Sequence, residues 1–154
     1  LADWRGDVDA FEVAQGVATV ASEGGRLTWR GESFSDGELL SHLWLSAGQA
    51  GLLYGMNEES TSGFQIQVDG AAMSIELSKL EEGTRRVLGK GALLTPILGH
   101  WHRIGVRVEE GIHRVTVRGQ PAIVVFDNEW LGDRVGLFAE PGADLSVSDI
   151  LLSE

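Results

Sequence analysis

Six residues in the first half of the chain carry side chains that stack on flat rings or hydrogen-bond to hydroxyl groups. They are His42, Trp44, Tyr54, Gln65, Gln67 and Glu76. Each stands opposite the aliphatic residues of an alternating segment, so we expect all six on the non-core side of successive strands. Rings that stack and amides or carboxylates that bind hydroxyls together suit a small polar ligand. The alternative is that Trp44 and Tyr54 cover the sheet beneath a long loop, as large aromatic residues usually do.

A second candidate site is a pair of histidines at the start of a strand. His100 and His102 are two residues apart and therefore share a face, a spacing that some zinc enzymes use for two ligands. A third ligand would have to come from His42, His113 or a carboxylate across the sheet. We favour a structural interpretation, in which His102 borders the core and Trp101 closes the edge of the sheet.

Four arginines form a third group, on two neighbouring segments: Arg103, Arg107, Arg114 and Arg118. The pairing described below sets Arg107 opposite Arg114 and Arg103 opposite Arg118, which is unfavourable unless carboxylates intervene. An anionic ligand such as a uronate or a sulfated glycan would supply those charges. Glutamates on neighbouring strands would do so as well, and we favour them because the chain has 23 acidic residues.

The segment from Gly99 to Ala139 predicts the strands that position these residues. Glu110-Gly111 separates two alternating runs, and glycine there can adopt the positive φ of a tight hairpin turn. A turn at this point brings five aliphatic residues onto one face: Ile104, Val106, Val108, Val115 and Val117. A slip of one residue would mix them with arginines, so the register is well determined. We predict further strands at 122–126 and 134–139, which would extend the hairpin into an antiparallel meander.

The rest of the chain also predicts short strands separated by turn residues. We place them at 11–15, 17–21, 26–29, 38–47, 50–56, 62–69, 84–88 and 144–152, with another around Met73, Ile75 and Leu77. No window carries a convincing helical stripe, and Ser78 to Glu82 could hold one helical turn at most. Trp4, Trp29 and Trp130 are interpreted as core or edge-sealing residues. We therefore expect an all-β, two-sheet antiparallel sandwich, with residues 1–154 as a single domain.

Composition narrows the classes of function. The net charge of −11 argues against general affinity for nucleic acid or anionic membranes, and no apolar run is long enough to insert into a bilayer. The chain lacks cysteine, so neither disulfides nor a cysteine-ligated metal supports the fold. Because the chain begins at Leu1, we expect a processed product or an excised module.

Several stretches together resemble a known superfamily. They are AGLLYGMNEESTSGFQIQVD, SIELSKLEEG, GHWHRIGVRVEEGIHRVTVRGQPAIVVFD and DRVGLFAEPGADLSVSDILL. In this order they are similar to the concanavalin A-like lectin/glucanase superfamily, and within it to the laminin-G-like branch and the domain named for 3-keto-disaccharide hydrolases. The resemblance covers about residues 11–152 and implies a jelly-roll sandwich. One departure is that Gly132 stands one residue earlier than the family's glycine before Arg134.

The resemblance also carries expectations about sites. In these domains the strands that hold the six residues line a concave sheet where sugars sit. Glucanases of the superfamily usually place their carboxylates on one strand as Glu-x-Asp-x-x-Glu, a spacing that is missing here; Glu76 with Glu81 and Glu82 comes nearest. Such sandwiches often hold a structural calcium ion, for which Asp149 with loop carbonyls is our candidate. Asp127-Asn128-Glu129 and Asp7-x-Asp9 are other acidic clusters, and neither has EF-hand spacing.

These observations leave three hypotheses open. The first is a non-catalytic carbohydrate-binding or adhesion module of an extracellular, cell-surface or periplasmic protein, with a glycan or polysaccharide on the concave sheet. The second is a structural domain that contacts other protein domains. The third, which we favour least, is a glycoside hydrolase-type enzyme, because fold alone does not confer activity.

Overall fold

The computed structural model describes residues 4–7, 11–14, 17–20, 23–29 and 33–153, and this part of the chain is built from fourteen β-strands. In chain order they are β1 (Trp4–Gly6), β2 (Phe11–Ala14), β3 (Val17–Val20), β4 (Gly25–Trp29), β5 (Gly37–Ala47), β6 (Gln49–Met56), β7 (Gly63–Asp69), β8 (Ser74–Glu81), β9 (Thr84–Ala92), β10 (Trp101–Glu109), β11 (Ile112–Val117), β12 (Gln120–Phe126), β13 (Arg134–Ala139) and β14 (Asp144–Ser153). The described residues include no helix long and apolar enough to cross a membrane.

The strands form two antiparallel sheets of seven strands each. The first sheet has the order β1-β4-β13-β6-β7-β8-β9, and the second has the order β12-β11-β10-β5-β14-β3-β2. Aliphatic residues from both inner faces interdigitate in one core, among them Leu52, Ile66 and Leu77 of the first sheet and Ile104 and Val106 of the second. The predicted all-β sandwich is confirmed.

The predicted hairpin forms in the predicted register. Val108 pairs with His113, Val106 with Val115 and Ile104 with Val117. Glu110 and Gly111 both have positive φ, 51° and 79°, as the mirror-image two-residue turn requires. The alternation of valine with arginine therefore fixes this pairing, because any slip would place charges in the core.

Two elements differ from the sequence-based expectation. The meander ends at β12, since β13 lies in the other sheet between β4 and β6. The segment around Ser78 is part of the continuous strand β8 rather than a helical turn. In both cases the alternation identified an apolar face but not the sheet or neighbour against which it packs.

Candidate functional site

The six residues with stacking or hydrogen-bonding side chains do not share one face. His42 and Trp44 lie on β5 of the second sheet, and both alternate with core leucines, so they point outward. Gln65, Gln67 and Glu76 lie together on the outer face of the first sheet, where Gln67 pairs with Glu76 across β7 and β8. Tyr54 is in neither group. The expectation of one shared platform is therefore wrong, and the set divides into three places.

Tyr54 is a core residue. Its side chain is 0% exposed and stacks on Phe64, with ring centroids 5.1 Å apart. It also bridges the sheets, because its hydroxyl lies 2.8 Å from Nδ1 of His113 on β11. The prediction that Tyr54 faces away from the core is wrong, because Tyr54 shares the inward side of β6 with Ala50 and Leu52, and both sides of this strand are buried.

The Tyr54–His113 contact belongs to a buried polar chain. Nε2 of His113 lies 2.8 Å from the carbonyl oxygen of Asp127, and since a carbonyl only accepts, this nitrogen carries the proton and Nδ1 accepts from the Tyr54 hydroxyl. The carboxylate of Asp127 in turn holds the ammonium of Lys79, which is 3% exposed, at 3.0 and 3.1 Å. This chain connects β6, β11, the segment after β12, and β8.

The environment shifts the pKa of three side chains in this buried network: Tyr54, His113 and Asp127. Burial raises the pKa of the Tyr54 phenol well above its ordinary value, and the nearby charge of Asp127 adds to the effect. Burial also lowers the pKa of His113. For Asp127 burial alone would raise the pKa, but the backbone N–H of Glu129 and the Lys79 ammonium outweigh it and hold the pKa below its usual value. The shifts thus favour the neutral forms of His113 and Tyr54 and the charged form of Asp127.

The outer face of the first sheet carries a second, more exposed network. Arg26 donates to Oε1 of Gln65 (3.2 Å), and Gln65 donates to Oε1 of Gln67 (3.2 Å). Gln67 donates to Gln49, and Gln49 donates to Asp69 (2.7 Å). Five side chains from β4, β6 and β7 are therefore joined end to end, and each amide has a defined orientation.

Arg85 of β9 connects this row to the next strand. Its guanidinium donates to Oε1 of Gln67 (3.1 Å), to the hydroxyl of Ser78 (3.1 Å) and to the carboxylate of Glu76. The ammonium of Lys90 lies 3.0 Å from the other oxygen of Glu76. Glu76 is thus held from both sides, with its side chain 17% exposed. The rigid fork of an arginine, which offers five donors, suits this role better than a lysine.

These groups line a groove of about 200 Å³, which we call the polar groove. Its lining residues are Gln49, Gln67, Asp69, Ser74, Glu76 and Arg85. Every one of them offers a hydrogen-bond donor or acceptor. The groove could therefore recognise a small ligand rich in hydroxyl groups.

The other half of the same face is covered and apolar. Leu53, Met56, Leu80 and Phe138 form a separate cluster, and each is at most 1% exposed. The loop 57–62 lies over this half, since the hydroxyl of Ser60 is 2.9 Å from that of Thr28. Its far end is held by the turn after β8, where the backbone N–H of Glu82 donates to Ser62. The loop thus lies over the apolar half and is held away from the polar groove.

A different surface lies on the outside of the second sheet, and we call it the aromatic face. It consists of His42, Trp44, Trp101, Arg103 and Asp149. Trp44 and Trp101 are cross-strand partners whose ring centroids are 5.8 Å apart at 68°. Trp101 is 44% exposed, so it does not close the edge of the sheet as we had expected.

The arginine pairing on the hairpin is confirmed in part. Arg107 pairs with Arg114, and Glu109 of the same strand binds the Arg107 guanidinium at 2.6 Å. Arg118 lies opposite Arg103, since its backbone N–H donates to the Arg103 carbonyl oxygen (2.8 Å), but its φ is 54° and its Nε lies 2.7 Å from Nδ1 of His102. The carboxylate beside Arg107 thus belongs to its own strand, whereas we expect glutamates of neighbouring strands from the sequence.

The histidine pair is structural in its contacts. His102 is 2% exposed and donates through Nε2 to the carbonyl oxygen of Ile97 (2.9 Å). Burial lowers its pKa, and the positive charge of Arg118 lowers it further. Within the described ranges, no group of three or more histidine, aspartate or glutamate side chains is arranged to hold a metal ion.

The predicted calcium ligands have other partners. Asp149 lies 3.3 Å from Nδ1 of His42, and Asp127 binds Lys79. Asp7 accepts the backbone N–H of Arg26 (2.9 Å), while Asp9 lies outside the described residues. Calcium needs six to eight oxygen ligands, and these carboxylates lie apart and beside cations or donors. These carboxylates do not fit the ion, so a structural calcium stays a prediction from sequence.

Sequence reasoning missed the residues that complete both surfaces. Gln49, Asp69 and Arg85 belong to the polar groove, and Trp101 belongs to the aromatic face. The sequence could have identified Gln49 and Asp69, because they are opposite each other at the first and last positions of the β6–β7 hairpin. No sequence pattern identifies Arg85, because a bulge between Leu77 and Ser78 determines which residues of β9 face the groove.

No protein-family model matches the chain, and no curated protein matches it in sequence. Solved structures match it closely in shape. A carbohydrate-binding module, CBM66 from Bacillus subtilis, superposes with a TM-score of 0.87 at 13% identity, over 99% of this chain and 96% of that one. The exoplasmic/lumenal domain of VIP36, in a form bound to Ca²⁺ and Man3GlcNAc, superposes with a TM-score of 0.77 at 14% identity, over 98% of this chain and 82% of that one. A β-glucanase from Bacillus licheniformis superposes with a TM-score of 0.77 at 6% identity, over 98% of this chain and 92% of that one.

Proposed function

We propose that this chain, a jelly-roll sandwich of the concanavalin A-like lectin and glucanase fold, is a carbohydrate-binding module whose ligand occupies the polar groove. The observation that carries the proposal is the continuous network from Arg26 to Asp69, joined at Gln67 by Arg85. Fixed amides, a guanidinium and carboxylates present donors and acceptors at defined positions, which is what a hydroxyl-rich ligand requires. Two of the similar structures are named as a carbohydrate-binding module and as an exoplasmic/lumenal domain in a form bound to Ca²⁺ and Man3GlcNAc.

Charge and volume indicate the kind of ligand. Arg85 lines the groove and Lys90 lies beside it, and both are paired with Glu76. The described lining residues therefore offer no unpaired positive charge for an acidic sugar. A volume of about 200 Å³ is smaller than the ~300–1,000 Å³ of typical ligand pockets, so we expect the groove to hold a single sugar unit of the glycan. We therefore expect a neutral glycan.

The groove favours binding over hydrolysis. A glycosidase needs one carboxyl group that donates a proton and another that acts as base or nucleophile. Both oxygens of Glu76 are occupied by Arg85 and Lys90, and those of Asp69 by the Gln49 amide and the backbone N–H of Ala72. Glu81 and Glu82 lie at the β8–β9 turn, beside Lys79 and Ser62. The module therefore presents carboxylates that orient donors rather than a catalytic pair.

The cellular setting is part of the proposal. Polysaccharides are found mainly outside the cytoplasm, so we place the module in an extracellular, cell-surface or periplasmic protein, where it attaches neighbouring domains to a glycan. Fractionation of the producing cells tests this placement, and recovery of the protein only from the cytoplasm would contradict it.

The decisive experiment fills the groove without disturbing its network. Ser74 lines the groove and makes none of the network's hydrogen bonds among the described residues, so Ser74→Tyr adds a ring in the ligand's place. We expect the wild-type domain to bind at least one neutral oligosaccharide on a glycan array, and the variant to lose about tenfold or more in affinity with an unchanged melting temperature.

A matched control adds the same ring elsewhere. Ser153→Tyr modifies an exposed serine at the end of β14 in the second sheet, and it should bind as the wild type does. A folded wild-type domain that binds no glycan on the array, or a Ser74→Tyr variant with full affinity, would overturn the proposal.

A further inference from the structure

We infer that the aromatic face is a second glycan-contact surface, so that one molecule holds two polysaccharide chains on opposite sides of the sandwich. The inference rests on the proposed function only in taking the ligand to be a glycan; the residues that carry it are separate from the polar groove. It assigns a role to His42 and Trp44, which the groove leaves unused.

The two tryptophans give this surface a flat apolar contact. They are paired across β5 and β10, and their rings meet edge to face, an arrangement that occupies one face of one ring only. Trp101 leaves 44% of its surface exposed, which is much for a residue that is usually well covered. A sugar ring has apolar C–H groups on its faces and can lie against such a surface.

Polar groups lie one row away, at the distance a sugar's hydroxyls would require. His42 pairs with Arg103 on one side and with Asp149 on the other, so three polar side chains cross the sheet next to the tryptophan pair. Two residues along a strand span roughly 7 Å, about the width of one sugar ring with its hydroxyls. The row therefore forms a polar border along the aromatic contact.

A β-bulge places the carboxylate in that row. The register of β14 against β5 shifts between Val147 and Asp149, and the shift brings Asp149 opposite His42, where its carboxylate lies 3.3 Å from Nδ1. Bulges often re-aim side chains near functional sites. Among the described residues, the Arg103 guanidinium takes part in no hydrogen bond or ion pair with another side chain, so all its donors are open to a ligand.

Because the two surfaces lie on opposite sides of the molecule, one molecule can bind two polysaccharide chains. The surfaces lie on the outer faces of different sheets, which in a sandwich are separated by the packed core about 10 Å thick. One extended glycan chain cannot lie on both faces at once without wrapping around an edge. Simultaneous occupancy therefore links two chains, and on an insoluble polysaccharide it would add avidity.

The test compares four proteins on two soluble neutral probes, mixed-linkage β-glucan and mannan. Affinity electrophoresis measures binding, and light scattering measures cross-linking of the polysaccharide. We expect the wild type to be retarded by at least one probe and to make that probe scatter. Trp101→Ala and Ser74→Tyr should each weaken retardation by about tenfold and abolish scattering. The double variant should show neither.

Two controls exclude a purely structural role for the tryptophan pair. Trp101→Tyr keeps an aromatic ring and should retain scattering, whereas a cross-strand contact needed only for stability would show itself in the melting temperature of Trp101→Ala. Phe126→Ala removes another exposed ring, 71% exposed on the edge strand β12, and should change nothing.

The outcomes separate this inference from the proposed function. If Ser74→Tyr alone abolishes all retardation, the groove is the site and the second surface is overturned. If Trp101→Ala alone abolishes it, the groove proposal fails and the claim of two chains fails with it. Scattering by Trp101→Ala equal to that of the wild type also overturns the inference, and so does a folded wild type that neither probe retards.

Discussion

The two outer faces of this sandwich are built on opposite principles. In the polar groove and the amide row that continues from it, the side chains are bonded to one another and partly withdrawn from solvent: Gln67 is 6% exposed, and Gln65 beside it is 1% exposed. On the aromatic face Trp101 is 44% exposed, and one polar neighbour, Asp149, has 53% of its side chain in solvent. The groove is thus pre-organised by its own hydrogen bonds, whereas the aromatic face relies on the exposed surface of its rings.

This difference predicts how the two faces respond to substitution. Removing a member of the groove network leaves its buried partners without hydrogen bonds, which costs stability as well as binding. Removing an exposed ring sacrifices contact area and leaves the core intact. Stability and binding should therefore change together on the first sheet and separately on the second.

The largest expected effect comes from the aromatic residue that belongs to neither face. Tyr54→Ala removes a fully buried ring and its bond to His113, so it should lower the free energy of unfolding by about 3–5 kcal/mol. Trp44→Ala should lower it by only about 1 kcal/mol or less, the value of a cross-strand pair. Urea denaturation followed by circular dichroism measures both. Equal losses would mean that Trp44 is part of the core and that the faces are not distinct.

Lowering the pH should have a smaller effect on stability, through the buried hydrogen-bonded side chains, among them His113, that join the two sheets. The pKa of His113 is lowered below 6.5 in the folded state, so its contribution to stability is complete above that pH and is lost as the pH falls below it. The loss is at most about 1.4 kcal/mol per pH unit for one group. His102 shifts in the same direction and adds to the slope.

Substitution isolates the share of His113. Melting curves between pH 7 and pH 5 should show a shallower pH dependence for His113→Gln than for the wild type, although the variant is less stable throughout. Arg114→Gln, on the same strand, is the matched control and should keep the wild-type slope. An unchanged slope in His113→Gln would show that the link between the sheets does not titrate in this range.

The smallest expected effect concerns calcium on the aromatic face. Because Asp149 is paired with His42, we expect millimolar calcium to change the melting temperature by no more than about 1 °C. A ligand that binds only the native state stabilises it by mass action, so a structural ion would raise that temperature by several degrees. Such a rise, abolished in Asp149→Asn, would restore the calcium site predicted from sequence and would change the proposed role of Asp149.

The sequence predicted the parts of the fold that local patterns determine. The Glu110-Gly111 turn and the valine–arginine alternation were sufficient for the β10–β11 register, and most strand positions agree within one or two residues. The sequence did not predict that β13 lies in the other sheet, because the apolar residues 135–139 would be buried in either sheet. The short strand β1 was missed for want of any alternation over three residues.

The candidate site was predictable only in part, for a physical reason. Alternation within a strand assigns a residue to one of two sides, and this was enough to bring Gln65, Gln67 and Glu76 together. Whether two strands belong to the same sheet depends on long-range pairing, so His42 and Trp44 were joined to a face that they do not share. Tyr54 was misplaced because β6 is buried on both sides, and its sequence therefore does not alternate between polar and apolar residues.

The strand order also bears on when this chain can fold during its synthesis. In each sheet a late strand fills a gap between early ones: β13 lies between β4 and β6, and β14 lies between β5 and β3. Until residues 134–153 leave the ribosome, β4 and β6 have no common neighbour, and β5 lacks one of its two partners. Pairings across such sequence separations close slowly. This sandwich should therefore complete its folding only after residues 134–153 have been synthesised.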